Sequence, residues 1–112
     1  MYRRRVTEQA LFILASLTGG ELHGYGIARD VGELSEGRVT LTAGTLYGVL
    51  DRLVRDGLIS QTREAVVDGR RRRYYELTSV GHTVLAEEAA RLRSTAAALT
   101  ARSSRRRKAR PA

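Results

Sequence analysis

The 112-residue sequence has no cysteine, no tryptophan and a single proline, Pro111. Without cysteine there can be no disulfide and no thiolate metal site, a composition that fits a reducing compartment. Aromatic residues are scarce, five Tyr and Phe12, so a core must be built mainly from Leu, Val, Ile and Ala. The longest apolar run, Ala10–Ala15, is far short of the roughly 20 residues that span a bilayer. The charged N-terminus lacks a following apolar stretch with a small-residue cleavage site, so no signal peptide is expected. A cytoplasmic protein without membrane attachment is the expectation. His23 and His82 are the only histidines, and neither has carboxylate partners at catalytic or metal-ligand spacing. Gly24-Tyr25-Gly26 lacks the preceding strand and the Gly-Lys-Ser/Thr ending of a phosphate loop. No enzyme, metal or cofactor site is expected.

What the sequence does have is positive charge, +8 overall with 19 Arg and one Lys. The excess lies in patches: Arg3–Arg5, Arg70–Arg73, and residues 102–112 with six basic side chains. Without that last stretch the chain holds 14 basic and 12 acidic residues, so its charge is local rather than general. Concentrated cations suggest a polyanionic partner.

Apolar spacing organises the rest. Val6, Ala10, Ile13, Leu14 and Leu17 form a one-sided stripe, predicting a helix over residues 6–18 that Gly19-Gly20 ends. A second helix is expected over Gly24–Leu34, with Ile27, Val31 and Leu34 inward. A third begins after Thr42, whose hydroxyl can cap it. Leu46, Val49, Leu50, Leu53 and Val54 bury one side, and Gly57 closes it in the left-handed conformation. Its other face shows Thr45, Gly48, Arg52 and Arg55, with Tyr47 at the margin. Strand-like runs at Ile59–Val66 and Arg71–Leu77 flank Asp68-Gly69, a strong hairpin signal. Arg73, Tyr75 and Leu77 share one face of the second run; Tyr74 and Glu76 share the other. From Ser79 to Ala101 a last helix, capped by Thr78, places Leu85, Ala89, Leu92, Ala96 and Leu99 in a heptad seam.

Three helices, a basic two-stranded hairpin and a further helix form the layout of a winged helix-turn-helix. The fold class expected is mainly α with a small β-hairpin. Residues 1–78 make the DNA-binding domain, 79–101 a dimerisation helix, and 102–112 a disordered basic tail. The third helix can enter a major groove, where base edges are distinguishable. Thr42, Ala43, Gly44, Thr45 and Gly48 are small enough for close approach, and Tyr47 and Arg52 add longer polar reach. The hairpin cations Arg70, Arg71, Arg72 and Arg73 would neutralise phosphates, with Tyr74 beside them.

Three segments resemble the PadR family of bacterial transcriptional regulators. They are His23-Gly24-Tyr25-Gly26-Ile27; Thr42-Ala43-Gly44-Thr45-Leu46-Tyr47 continued by Leu50, Leu53 and Gly57-Leu58-Ile59; and Gly69-Arg70 with Arg72-Arg73-Tyr74-Tyr75-Glu76-Leu77-Thr78 and Gly81. The resemblance implies a winged helix that dimerises through its C-terminal helix, helped by the first. It also implies DNA contacts from Tyr25, Thr42, Gly44, Thr45, Tyr47, Arg70, Arg72 and Arg73. Where members often carry Pro, this chain has Gly48 and Arg71. Some members bind drugs or phenolic acids in an aromatic-lined dimer cavity; this chain has little to build one with, and any small-molecule effector stays unidentified. The expectation is a homodimeric repressor on a pseudo-palindromic stretch of double-stranded operator DNA. Two rival readings remain open: a nonspecific or architectural DNA binder, and a winged helix whose third helix meets a protein.

Overall fold

A computed structural model describes residues 6–109, with side chains to Arg107. The patch Arg3–Arg5 and Arg110 lie outside the described residues. In chain order the elements are α1 (Glu8–Ser16), β1 (Leu22–His23), α2 (Gly24–Leu34), α3 (Ala43–Arg55), β2 (Ile59–Val67), β3 (Arg70–Leu77) and α4 (Ser79–Ala109).

Each helix start is fixed by a side-chain acceptor for a first-turn amide. Thr7 Oγ1 accepts from Ala10 N at 3.1 Å, and Thr42 Oγ1 from Thr45 N at 3.4 Å. Thr78 Oγ1 accepts from Gly81 N at 3.0 Å while donating to the Gly57 carbonyl at 2.7 Å, tying the start of α4 to the end of α3. Gly57 leaves α3 with φ +77°, and the Leu58 amide reaches back to the Leu53 carbonyl at 3.0 Å. Asp68 and Gly69 turn the hairpin with φ +52° and +76°, the paired positive values of a tight two-residue turn.

The sheet has the order β1-β3-β2, antiparallel throughout. The two residues of β1 were not expected as a strand: Leu22 pairs with Tyr75 and His23 with Tyr74. So short a segment carries no periodicity of its own. It is strand because β3 offers it an unpaired edge, and it anchors the wing to the start of α2.

The core lies where α1, α2 and α3 converge on the base of the wing. Ile13, Leu14, Ile27, Val31, Leu50, Leu58 and Ile59 are essentially without exposure, and Tyr75 joins them from β3. Val84 closes the core from α4, and Leu85 packs half-buried against it. Gly81 permits this crossing, since a Cβ there would collide with the Leu58 carbonyl oxygen.

Two expectations need correction. The chain does not lose its helix after Ala101: α4 runs 31 residues to Ala109, so the basic stretch from Arg102 is helical, not disordered, through that point. No Gly or Pro occurs between Gly81 and Pro111, and Ala, Arg and Lys are strong helix formers. Leu85 sits at the domain's own surface rather than in an open seam, whereas Ala89, Leu92, Ala96 and Leu99 are exposed. At about 1.5 Å per residue α4 is ~46 Å long, which explains the 66 Å longest dimension of the molecule.

Candidate nucleic-acid interface

Helix α3 is held by Leu46, Leu50 and Leu53, all buried. Their spacing leaves Thr42, Ala43, Gly44, Thr45, Tyr47, Gly48 and Arg52 on the exposed side. A Cβ at Gly44 or Gly48 would meet nothing within 4 Å, so this face is open. It lines a cleft of about 420 Å³ together with Thr7 and Gln9 of the α1 end and Arg52 and Arg55 of α3. The Thr42 hydroxyl is spent locally: besides capping, it donates to Thr45 Oγ1 at 3.1 Å. Thr45 keeps its own proton as a donor.

Tyr47 is 38% exposed. Its hydroxyl lies so close over Gly24 that a Cβ there would come within 2.5 Å of it. Gly24 thus lets the α3 tyrosine lie across the start of α2. Tyr25, at 56% exposure, projects from the same helix start.

The wing does not present its four arginines alike. Alternation along β3 sends Arg71 and Arg73 to one face, where Glu64 of β2 meets them at 3.8 and 3.6 Å. Arg72 turns the other way, its guanidinium 5.5 Å from the Tyr25 ring centre, with Nε buried and lacking a hydrogen-bond partner among the described residues. Arg70, beside the turn, is exposed.

Sequence reasoning did not foresee the stack that fixes the wing to α2. His23 Nδ1 caps α2 by accepting from Gly26 N at 3.1 Å. Its ring lies parallel to Tyr25, centres 6.3 Å apart, and edge-on to Tyr74 at 5.4 Å. Arg63 of β2 stacks on the far side of Tyr74 at 3.9 Å. Glu21 then holds Arg63 at 2.7 Å and accepts from the Thr62 hydroxyl at 2.7 Å. Those bonds, Thr62's first and Arg63's second, keep the Glu21 carboxyl below its usual range. Burial, with help from the Arg72 charge, lowers the His23 pKa and favours the neutral imidazole that capping requires. Burial pushes the Tyr75 phenol up, as suits a core residue. A signal for Arg63 did exist: a two-residue turn at Asp68-Gly69 sets it opposite Tyr74 by simple counting, as the register records.

Among the described residues no group of His, Asp or Glu could hold a metal, and no helix is long and apolar enough to cross a membrane.

A sequence model of the transcriptional regulator PadR-like family matches residues 13–87. The chain belongs to the PadR-like family. It is 40% identical over 78 residues to transcriptional regulator Rv3488 of Mycobacterium tuberculosis, a match covering 70% of this chain and 69% of that protein. A PadR family transcription regulator from Clostridium difficile R20291 is similar in structure, with TM-score 0.70 and 26% identity over 84% of this chain and 96% of that one. Bacillus subtilis PadR, solved in complex with operator DNA, superposes with TM-score 0.62 and 26% identity over 70% of this chain and 45% of the other. PadR-like proteins are transcriptional regulators, not enzymes. The PadR-like match encloses the exposed α3 face, Tyr25 of α2 and the whole wing, and it stops at the point where α4 leaves its own domain.

Proposed function

We propose that this PadR-like chain is a sequence-specific DNA-binding regulator, a cytoplasmic repressor that grips a pseudo-palindromic operator as a homodimer. The observation that carries the reading is the open α3 face. Thr42, Ala43, Gly44, Thr45 and Gly48 present small side chains to solvent on a helix pinned from behind. Such a rod fits a major groove, and the unpaired amides of its first turn suit a phosphate. Thr45, Tyr47 and Arg52 supply polar contacts. Tyr25, Arg70, Arg71, Arg72, Arg73 and Tyr74 line the flanking backbone, with Arg70 reaching furthest. Two copies related by a two-fold axis read half-sites roughly 34 Å apart, joined through the exposed seam Ala89, Leu92, Ala96 and Leu99. Occupying the promoter then blocks transcription.

The test is competition. Genome fragments bound by the full chain are recovered, and the tightest is challenged with excess random duplex at moderate salt. A regulator keeps its site by at least ~10³ in affinity. Equal loss to random DNA would leave an architectural binder. Indifference to all duplexes would leave a protein-docking winged helix.

A further inference from the structure

Among the described residues the densest unmatched positive charge is not on the wing. There Arg71 and Arg73 share Glu64 and Arg72 lies against Tyr25, which leaves Arg70. The density is at the end of α4. Residues 102–108 hold Arg102, Arg105, Arg106, Arg107 and Lys108, and the four arginine side chains are exposed. No acidic residue follows Glu88 in the chain, so no neighbour three or four positions away can pair with any of them. Arg102 instead stands at that spacing from Arg105 and Arg106, where like charges oppose the helix. The dipole of the helix end offsets roughly half an elementary charge, far less than five cations carry.

The cluster also stands clear of the domain. Thr78 ties the start of α4 to the Gly57 carbonyl, at the C-terminal end of α3. The last α4 position with any cover is Glu88, and Arg102 lies ~21 Å further along the axis at 1.5 Å per residue. Arg102, Arg105 and Arg106 share one side of the helix and Arg107 takes another, with no apolar side chain between Arg102 and Lys108. A surface that docks protein has a desolvated, largely apolar or aromatic centre. A polyanion needs only charge at a matching spacing. Five cations over ~9 Å of helix make about one per 2 Å, close to the one negative charge per ~1.7 Å of duplex axis. Guanidinium groups also grip phosphate oxygens in pairs.

Resting on the DNA-binding reading above, we infer that the end of α4 is a second contact for duplex DNA, in which Arg102, Arg105, Arg106 and Arg107 hold phosphates outside the stretch seated on α3 and the wing. Phosphates carry no base identity, so this contact reads no sequence. It adds affinity and salt dependence without adding discrimination. It also relieves the repulsion that the arginines exert on one another within the helix.

The test measures affinity of the full chain against salt on two duplexes, one trimmed to the stretch that α3 and the wing protect and one with long flanks. Gln stands near Arg in helix propensity, so Arg102→Gln/Arg105→Gln/Arg106→Gln/Arg107→Gln keeps its circular dichroism. On the flanked duplex it lowers the slope of log affinity against log salt by at least ~1.8, the worth of two phosphates, and by the same amount for operator and random sequence. On the trimmed duplex the slope holds. A second arm immobilises the operator and offers a separate labelled duplex; capture that disappears in the variant would put the second stretch on another DNA molecule rather than on the flank. A variant with neither effect would overturn the inference. An equal fall on the trimmed duplex would overturn it too, by placing these arginines among the operator contacts. Arg91→Gln/Arg93→Gln removes the same charge as Arg105→Gln/Arg106→Gln from the same helix and leaves the slope in place; equal shifts would make the effect one of net charge and refute the site. A chain with no preference for any operator, whose slope still falls in the variant, would remove the regulator reading and leave this contact standing.

Discussion

The α3 face and the wing are built on opposite principles. From Thr42 to Leu50 the α3 face carries no charge at all, and its backbone is fixed by Leu46, Leu50 and Leu53 behind it. The wing tip carries four consecutive arginines on a hairpin whose strands are mostly exposed. Yet the wing is the more self-engaged of the two. Arg71 and Arg73 share Glu64, Arg72 lies on Tyr25, and Arg70 is left at the tip. On the proposed DNA-binding reading the difference is a division of labour: shape and small polar groups would carry discrimination, while a partly neutralised cationic arm would carry affinity. On that reading, residual charge on the arm, not its arginine count, would set the pull on phosphate.

The hardest blow to that division is Gly44→Glu. The site has open space around a Cβ, Glu exceeds Gly in helix propensity by up to about 1 kcal/mol, and a carboxylate in the first turn suits the helix dipole. Thermal stability therefore holds or rises slightly. Operator affinity falls by more than ~100-fold, because a buried like charge facing phosphate costs several kcal/mol. Parallel melting and gel-shift measurements separate the two effects; retained affinity would remove α3 from the groove.

Substitutions in the wing act more mildly and through salt dependence. Arg70→Ala lowers the slope of log affinity against log salt by ~0.9, the loss of one phosphate contact, equally on operator and random duplex. Glu64→Gln moves the other way, since it releases Arg71 and Arg73 to the backbone. Its gain is a steeper slope and tighter nonspecific binding, hence a smaller specificity ratio. If both variants shifted the slope in one direction, Glu64 would not be the neutralising partner.

Much of this was legible in the sequence because it depends on local rules. Thr42 and Thr78 are caps by chemistry, Gly57 and Asp68-Gly69 are turns by backbone preference, and the apolar stripes of α2 and α3 need only a period, except at their last turns, where Leu34 and Val54 are exposed. What could not be read depends on tertiary partners. Nothing local marks His23 for its part as cap and stacking plate, which follows from Tyr74 arriving on β3. The pairing of Arg63 with Glu21 spans 42 residues and sits beside an irregularity in the β2 register, between Gln61 and Arg63, that no pattern announces. The basic end of α4 was misread because charge runs resemble disordered tails, whereas helix propensity in an Ala- and Arg-rich stretch decided otherwise.

The smallest expected effect probes the joint between the two regions. His23 accepts a hydrogen bond through Nδ1, which only the neutral ring can do. Its pKa in the folded chain lies below the ordinary 6.5 because of burial and the nearby Arg72 charge. The unfolded chain therefore takes up the proton first as the pH drops. The stabilising contribution is complete above about pH 6.5 and is lost as the pH falls through the lower folded value. His23→Ala should cost about 1 kcal/mol at pH 7.5, the usual worth of a cap, and progressively less toward more acid pH, as the native ring becomes charged and loses its acceptor. Urea midpoints of the two proteins across that pH range measure this. Convergence at acid pH would tie wing anchoring to the neutral imidazole; a gap constant across the range would mean that the ring contributes by stacking on Tyr25 and Tyr74 alone.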